Sequence, residues 1–119
     1  MKKILVVEDN ETNMYLISFM LKKNGFEVIE ARTGKEGIDL AIKEKPDLVL
    51  MDFRLPDIDG LEATRIIRDS EANDKIPIIA LTSYALVGDR EKALAAGCTG
   101  YIEKPINPET FLAEIKKYL

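Results

Sequence analysis

The sequence predicts an α/β fold: a doubly wound, five-stranded parallel sheet with helices on both faces. Three observations carry that expectation. Apolar runs of four or five residues alternate with amphipathic stretches of ten or more, the alternation that βαβ units require. Runs such as Ile4-Leu5-Val6-Val7 and Leu48-Val49-Leu50-Met51 are apolar at every position, as strands covered from two sides must be. Five such units fit 119 residues, a length for one ordinary domain, 1–119, with a core of its own.

The elements follow in order. Asn10 can cap the helix after the first strand, and Leu16, Ile17, Met20 and Leu21 recur at helical spacing until Gly25 closes it. The second strand is read as Phe26 to Glu30. Thr33 caps a second helix through Ile38, Leu40, Ala41 and Ile42, and Lys45-Pro46 stops it before a third strand, Asp47 to Asp52. Pro56 and Asp59-Gly60 mark a turn, after which Leu61, Ala63, Thr64, Ile66 and Ile67 line a third helix ending near Asp69. The fourth strand is Ile76 to Thr82, with Pro77 near its start, where a missing N–H is tolerated. A fourth helix, Val87 to Ala96, offers little bulk beyond Ala93, Leu94, Ala95 and Ala96, which predicts an element able to shift; Gly97 stops it. A fifth strand, Thr99 to Glu103, precedes a last helix from Pro108 to Tyr118, with Phe111, Leu112, Ile115 and Leu119 inward.

Composition narrows the function. The chain has 21 acidic against 17 basic residues, a net charge of -4, which removes the basic footprint of a nucleic-acid binder, so no direct nucleic-acid partner is expected. No apolar stretch approaches the ~20 residues that cross a bilayer. Met1-Lys2-Lys3-Ile4 runs straight into a strand pattern without a signal-peptide cleavage region, so the expected location is cytoplasmic, with no membrane partner. The single cysteine, Cys98, sits in Ala95-Ala96-Gly97-Cys98 and suits a small buried residue better than a reactive thiol. The chain contains no histidine, which excludes Ser-His and Cys-His nucleophilic sites and assigns any phosphohistidine to a partner.

Glu8-Asp9, Asp52, Thr82 and Lys104 lie at the C-terminal ends of four apolar runs. In a parallel sheet those ends share an edge, so the four positions converge on one pocket. Three carboxylates gathered there repel one another and either take up protons or hold a cation. Oxygen donors without histidine or a ligating cysteine exclude a typical zinc site and suit magnesium, which points to phosphoryl chemistry. Asp52, ending the most apolar strand before the sharp exit Phe53-Arg54-Leu55-Pro56, is the candidate nucleophile. Glu8 and Asp9 are the candidate metal acids, and Thr82 and Lys104 the candidate partners of the transferring oxygens. Taken singly, each residue could equally begin a loop, where such side chains cap and solvate.

The segments Val7-Glu8-Asp9-Asn10, Leu50-Met51-Asp52-Phe53-Arg54-Leu55-Pro56-Asp57-Ile58-Asp59-Gly60, Ala80-Leu81-Thr82-Ser83 and Tyr101-Ile102-Glu103-Lys104-Pro105 resemble a receiver domain of two-component response regulators, over essentially the whole chain. Single-domain regulators and receivers of hybrid kinases are similar in their Glu-Asp-Asn and Lys-Pro-Ile motifs. The resemblance implies a flavodoxin-like strand order 2-1-3-4-5, for which a chemotaxis receiver is itself a standard example. It implies that Asp52 accepts a phosphoryl group from a histidine kinase or histidine phosphotransfer protein, catalysing its own phosphorylation and slow autodephosphorylation. Asp9, Asp52 and the Phe53 carbonyl would contact Mg2+ with Glu8 assisting, and Thr82 and Lys104 would hold the phosphoryl oxygens. Thr82 moving toward them vacates space for Tyr101, a population shift between two states. Lys104-Pro105 resembles the family's cis peptide. The resemblance also implies that Arg54 and Tyr84 would flank the path of an attacking water and, being bulky, would slow hydrolysis. With no output domain after the last helix, a downstream protein target is expected on the face of the fourth helix, fifth strand and fifth helix.

Tyr15 and Phe19 lie opposite the apolar face of the first helix, either as an exposed partner patch or partly buried against the last helix. Three other functions compete with the switch. A nucleotide hydrolase could use Leu48-Val49-Leu50-Met51-Asp52 as its metal-binding strand, but the phosphate-cradling Gly-rich loop ending in Lys-Ser or Lys-Thr is absent, and Gly34-Lys35-Glu36 does not supply it. A phosphatase of haloacid-dehalogenase type needs a second acid two residues after its nucleophile, where this chain has Arg54. A degenerate receiver would dock partners without phosphorylation, against which the complete acid set argues.

Overall fold

The computed structural model describes residues 2–70, 75–82 and 88–119. Five parallel strands, β1 (Lys3–Val7), β2 (Glu27–Ala31), β3 (Leu48–Asp52), β4 (Ile78–Thr82) and β5 (Gly100–Glu103), form one sheet in the order β2-β1-β3-β4-β5. Successive strands alternate with α1 (Glu11–Lys23), α2 (Gly34–Glu44), α3 (Gly60–Asp69), α4 (Asp89–Ala96) and α5 (Pro108–Lys116). The chain moves outward from β1 to β2, then returns across β1 to β3. The order reverses there, and a crevice opens at the C-terminal ends of β1 and β3.

Two cores flank the sheet because alternate residues of each strand face opposite layers. Leu5, Val7, Val49, Met51, Ile78 and Ala80 pack with Ile38 and Ala41 of α2, Ala63 and Ile67 of α3 and Ala93 of α4. Ile4, Val6, Leu48, Leu50, Ile79 and Leu81 pack with Met14, Ile17 and Leu21 of α1 and Phe111 and Ile115 of α5. Every residue of β3 and β4 is buried, as the uninterrupted apolar runs require.

Side chains satisfy the opening amides of four helices. Asn10 accepts from Asn13 N at 3.0 Å, Thr33 from Glu36 N at 3.1 Å, Asp59 from Leu61 N at 2.7 Å and Asn107 from Glu109 N at 3.0 Å. α4 is headed by Gly88, which has no side chain to cap with. The same helix closes at Gly97, whose φ of +109° suits only glycine without strain. Arg68 fastens that end: its Nε donates to the Gly97 carbonyl at 2.8 Å, Nη2 to Thr99 Oγ1 at 3.1 Å, and Nη1 to the Ile76 carbonyl.

Several boundaries differ from the sequence reading for local reasons. β2 starts one residue later than expected because the Phe26 amide donates to the Leu21 carbonyl and closes α1 instead of joining the sheet. β4 starts at Ile78, since Pro77 has no amide and contributes only its carbonyl, which accepts from Val49 N at 2.9 Å. β3 and β5 likewise begin one residue later than read, and α5 ends at Lys116. α4 begins at Asp89, and Val87, the expected start, lies outside the described residues. Leu16 and Ile66, placed on inward faces by spacing alone, are exposed; Met14 and Ile17 hold the inner face of α1, and Ala63, Thr64 and Ile67 that of α3. Among the described residues no helix is long and apolar enough to cross a membrane.

An acidic pocket at the strand ends

Register brings the expected residues together. Val7 pairs with Met51, so the next residues along, Glu8 and Asp52, end neighbouring strands side by side. Asp52 pairs with Leu81 and Thr82 with Glu103, which places Thr82 and Lys104 at the next two strand exits. The Lys104 amide donates to the Thr82 carbonyl at 2.7 Å, fixing the end of β5 against that of β4. The Lys104-Pro105 bond is cis.

The side chains meet closely. Lys104 Nζ donates to Glu8 Oε1 at 2.6 Å and lies 3.3 Å from Asp52 Oδ2. Asp52 Oδ1 accepts from the Arg54 amide at 3.2 Å, and Glu8 Oε2 accepts from the Asn10 amide at 3.3 Å. Glu8, Asp52 and Thr82 are buried and Asp9 is exposed, yet Glu8, Asp9 and Asp52 each offer a carboxylate oxygen within 4.8 Å of the others. Burial pushes the Glu8 carboxyl up to about 7, the hydrogen bond with Asp52 pushes it the same way, and Lys104 opposes both. One ammonium therefore offsets two buried carboxylates incompletely. An all-oxygen group of this spacing fits a small hard divalent cation, magnesium foremost.

The remaining expected residues surround this group or lie outside the described residues. The Phe53 carbonyl, expected as a metal ligand, accepts from the Gly60 amide at 3.0 Å and so closes the β3–α3 loop onto its helix. A side chain at position 60 would collide with the Asp52 carbonyl and lie 2.9 Å from Phe53 Cα, which accounts for glycine there. Tyr101 is partly buried with its ring edge-on to Phe53, centroids 6.3 Å apart. Arg54 is exposed beside the pocket, and Tyr84 lies outside the described residues.

Two features had no clear signal in the sequence. Asp57, exposed in the β3–α3 loop, accepts from the Gly34 and Lys35 amides at 2.7 and 2.9 Å and so caps α2 from another segment. A groove of about 700 Å³ runs beside the pocket between α1 and the chain entering α5, lined by Leu16, Phe19, Met20, Lys104, Ile106 and Leu112. Of the two readings for Tyr15 and Phe19, exposure holds: they are 68% and 56% exposed and their rings stack at 6.2 Å.

Comparison with known proteins decides the family. Residues 4–116 match the response regulator receiver domain. The chain belongs to that family. It is 45% identical over 118 residues to the polar-differentiation response regulator DivK of Brucella ovis, covering 99% of this chain and 96% of that one. The receiver domain of a sensor histidine kinase of Pseudomonas aeruginosa, whose crystal structure has a magnesium ion coordinated in the active site cleft, is 40% identical with a TM-score of 0.92, covering 98% of this chain and 96% of that one. The chemotaxis response regulator CheY4 of Vibrio cholerae superposes with a TM-score of 0.95 at 31% identity, covering 100% of this chain and 99% of that one. The receiver is a phosphorylation-activated signalling switch of two-component systems, a class that interacts with histidine kinases or phosphotransfer proteins.

Proposed function

We propose that Asp52 is the phosphoryl acceptor of this switch and that residues 1–119 act as one receiver unit. The observation that carries the reading is the convergence of Glu8, Asp9 and Asp52 with Lys104 bridging two of them. An Asp52 carboxylate oxygen attacks the phosphorus of a phosphohistidine on a kinase or phosphotransfer protein. The P–O bond forms as the P–N bond breaks, and the partner's imidazole nitrogen leaves with the electron pair. Lys104 and the Thr82 hydroxyl stabilise the charge on the transferring oxygens.

Glu8, Asp9 and Asp52 are the residues that would hold Mg2+. When bound, magnesium neutralises the carboxylates and the incoming phosphoryl oxygens together. The Phe53 carbonyl joins this set, since the bond from the Gly60 amide occupies only one of its two lone pairs. Thr82 and Tyr101 form the switch pair, and Arg54 and Tyr84 restrain hydrolysis of the aspartyl phosphate. Lys104 belongs to both the pocket and the apolar groove, so a donor protein lying along Leu16, Phe19, Met20 and Ile106 reaches Asp52 from there. Output goes to a downstream protein contacting α4, β5 and α5.

Incubation with magnesium and acetyl phosphate tests the reading. The expected result is an acid-stable, base-labile label on the parent and none on Asp52→Asn. Folded parent protein that takes no label from acetyl phosphate or from a phosphorylated histidine donor refutes it in favour of a degenerate docking module. Continuous phosphate release from unrelated phosphomonoesters would instead indicate a phosphatase.

A further inference from the structure

The loop that follows Asp52 is held by a helix from elsewhere in the chain. Asp57 places both carboxylate oxygens on the first amides of α2, Oδ1 on Gly34 N at 2.7 Å and Oδ2 on Lys35 N at 2.9 Å. Charge and hydrogen bonding act together there, because a helix N-terminus presents free amides and partial positive charge. These bonds hold the Asp57 carboxyl below its ordinary range. Contact below is equally close: a Cβ on Gly34 would overlap Ile58, the residue after Asp57. α2 is itself a fixed support, since a Cβ on Gly37 would fall 2.7 Å from Val7 Cγ2 at the end of β1.

At its other end the same loop touches the reacting group. The Arg54 amide donates to Asp52 Oδ1 at 3.2 Å, and Oδ2 is left 3.3 Å from Lys104. That amide shares its peptide plane with the Phe53 carbonyl, which the Gly60 amide holds at 3.0 Å, so its direction follows the path of the loop between Arg54 and Gly60, and Asp57 lies in that span.

We propose that Asp57 is a positioning residue for phosphoryl acceptance: by fastening the β3–α3 loop to the N-terminus of α2, it keeps the Arg54 amide on Asp52 Oδ1. The inference rests on Asp52 being the acceptor. Removing the Asp57 carboxylate leaves the loop held only through the Phe53–Gly60 bond, so its middle loosens and the acceptor samples rotations in which its oxygens are less often presented to the donor. Loss of orientation lowers the maximal rate more than it alters affinity for the donor.

Labelling by acetyl phosphate is measured at saturating magnesium over a range of donor concentrations, alongside hydrogen exchange of the Arg54 amide by NMR. Asp57→Ala is expected to lower the maximal rate about tenfold with little change in the half-saturating concentration, the scale on which small misplacements of reacting groups are felt. Exchange at Arg54 accelerates in step. Asp57→Asn, which keeps one acceptor oxygen, recovers part of both. Thr33→Ala removes the other cap of the same helix end, the bond to Glu36 N at 3.1 Å, and leaves the loop anchor in place; it is expected to label at the parental rate. Parental labelling by Asp57→Ala with unchanged exchange at Arg54, or equal slowing by Thr33→Ala, overturns the proposal. An unlabelled parent is a different failure, since it removes Asp52 as acceptor before Asp57 is at issue.

Discussion

Two groups of three charges in this molecule have the same composition and opposite behaviour. In the pocket, Lys104 stands between Glu8 and Asp52; on the surface, Arg32 stands between Glu11 and Glu30, bonded to Glu11 through Nε and to Glu30 at 3.1 Å. Each is one cation with two carboxylates. The Lys104 and Glu8 side chains are 10% and 0% exposed, whereas those of Arg32 and Glu11 are 43% and 70% exposed. Burial pushes Glu8 up to about 7 against the pull of Lys104. On the surface the hydrogen bond from Arg32 lowers Glu11, and a hydrogen bond from Ser18, supported by Arg32, lowers Glu30. Depth rather than charge count decides the sign. Water shares the charge of the surface group, and burial withholds that share from Glu8.

The sharpest way to break this comparison is Lys104→Met, which leaves two buried carboxylates with no cation. Unfolding in urea without metal is expected to show a loss of about 3 kcal/mol, the usual scale for removing one partner of a buried pair. Magnesium restores most of it. If the loss is no larger than that of Arg32→Met, the two groups do not differ as described.

Stability against pH separates them next. The folded Glu8 carboxyl lies above its ordinary 4.5, so folding favours the proton. Its contribution is complete below about 4.5 and is lost as pH rises through about 7. Metal-free protein is therefore expected to weaken over that interval in urea titrations, and Glu8→Gln to flatten the slope. Glu11 and Glu30 are lowered, so their contribution is present above the ordinary carboxylate range and lost as pH falls through their depressed values. Arg32→Met should therefore carry a small, constant deficit above the carboxylate range that closes as pH falls, flattening the acid limb.

A smaller effect is expected from Asp52→Asn, which removes the like charge beside Glu8. NMR titration of the Glu8 carboxyl should then give a midpoint below that of the parent. Smallest of all, Arg32→Met at neutral pH should move the urea midpoint little, and high salt should erase the difference.

What the sequence disclosed and what it hid follow the same division. Uninterrupted apolar runs announce β1, β3 and β4, and once those strands are parallel the convergence of Glu8, Asp9, Asp52, Thr82 and Lys104 follows from geometry alone. The strand order came with the resemblance to receivers, since periodicity does not rank strands. Which aliphatic side chains of an amphipathic helix turn outward was less legible: Leu16 and Leu21 look alike in a list, and only the position of the sheet separates them. Asp57 was illegible because its partners are the amides of Gly34 and Lys35, distant in sequence, and backbone groups carry no residue signature. The Phe53 carbonyl was assigned by likeness, while its bond to Gly60 depends on a loop path that spacing does not describe.

The alternation that sends Val6 toward α1 and α5 and Val7 toward α2 and α3 continues one step past the strand into the two adjacent acids. Glu8 is turned into the protein and Asp9 into solvent. The pair is thus one dry acid and one wet acid. Asp9, being exposed, is the member of the group that an arriving cation meets first. The negative charge on Glu8 is held only in company, by Lys104 or by a metal, and that dependence makes the inner half of the site responsive to what enters it.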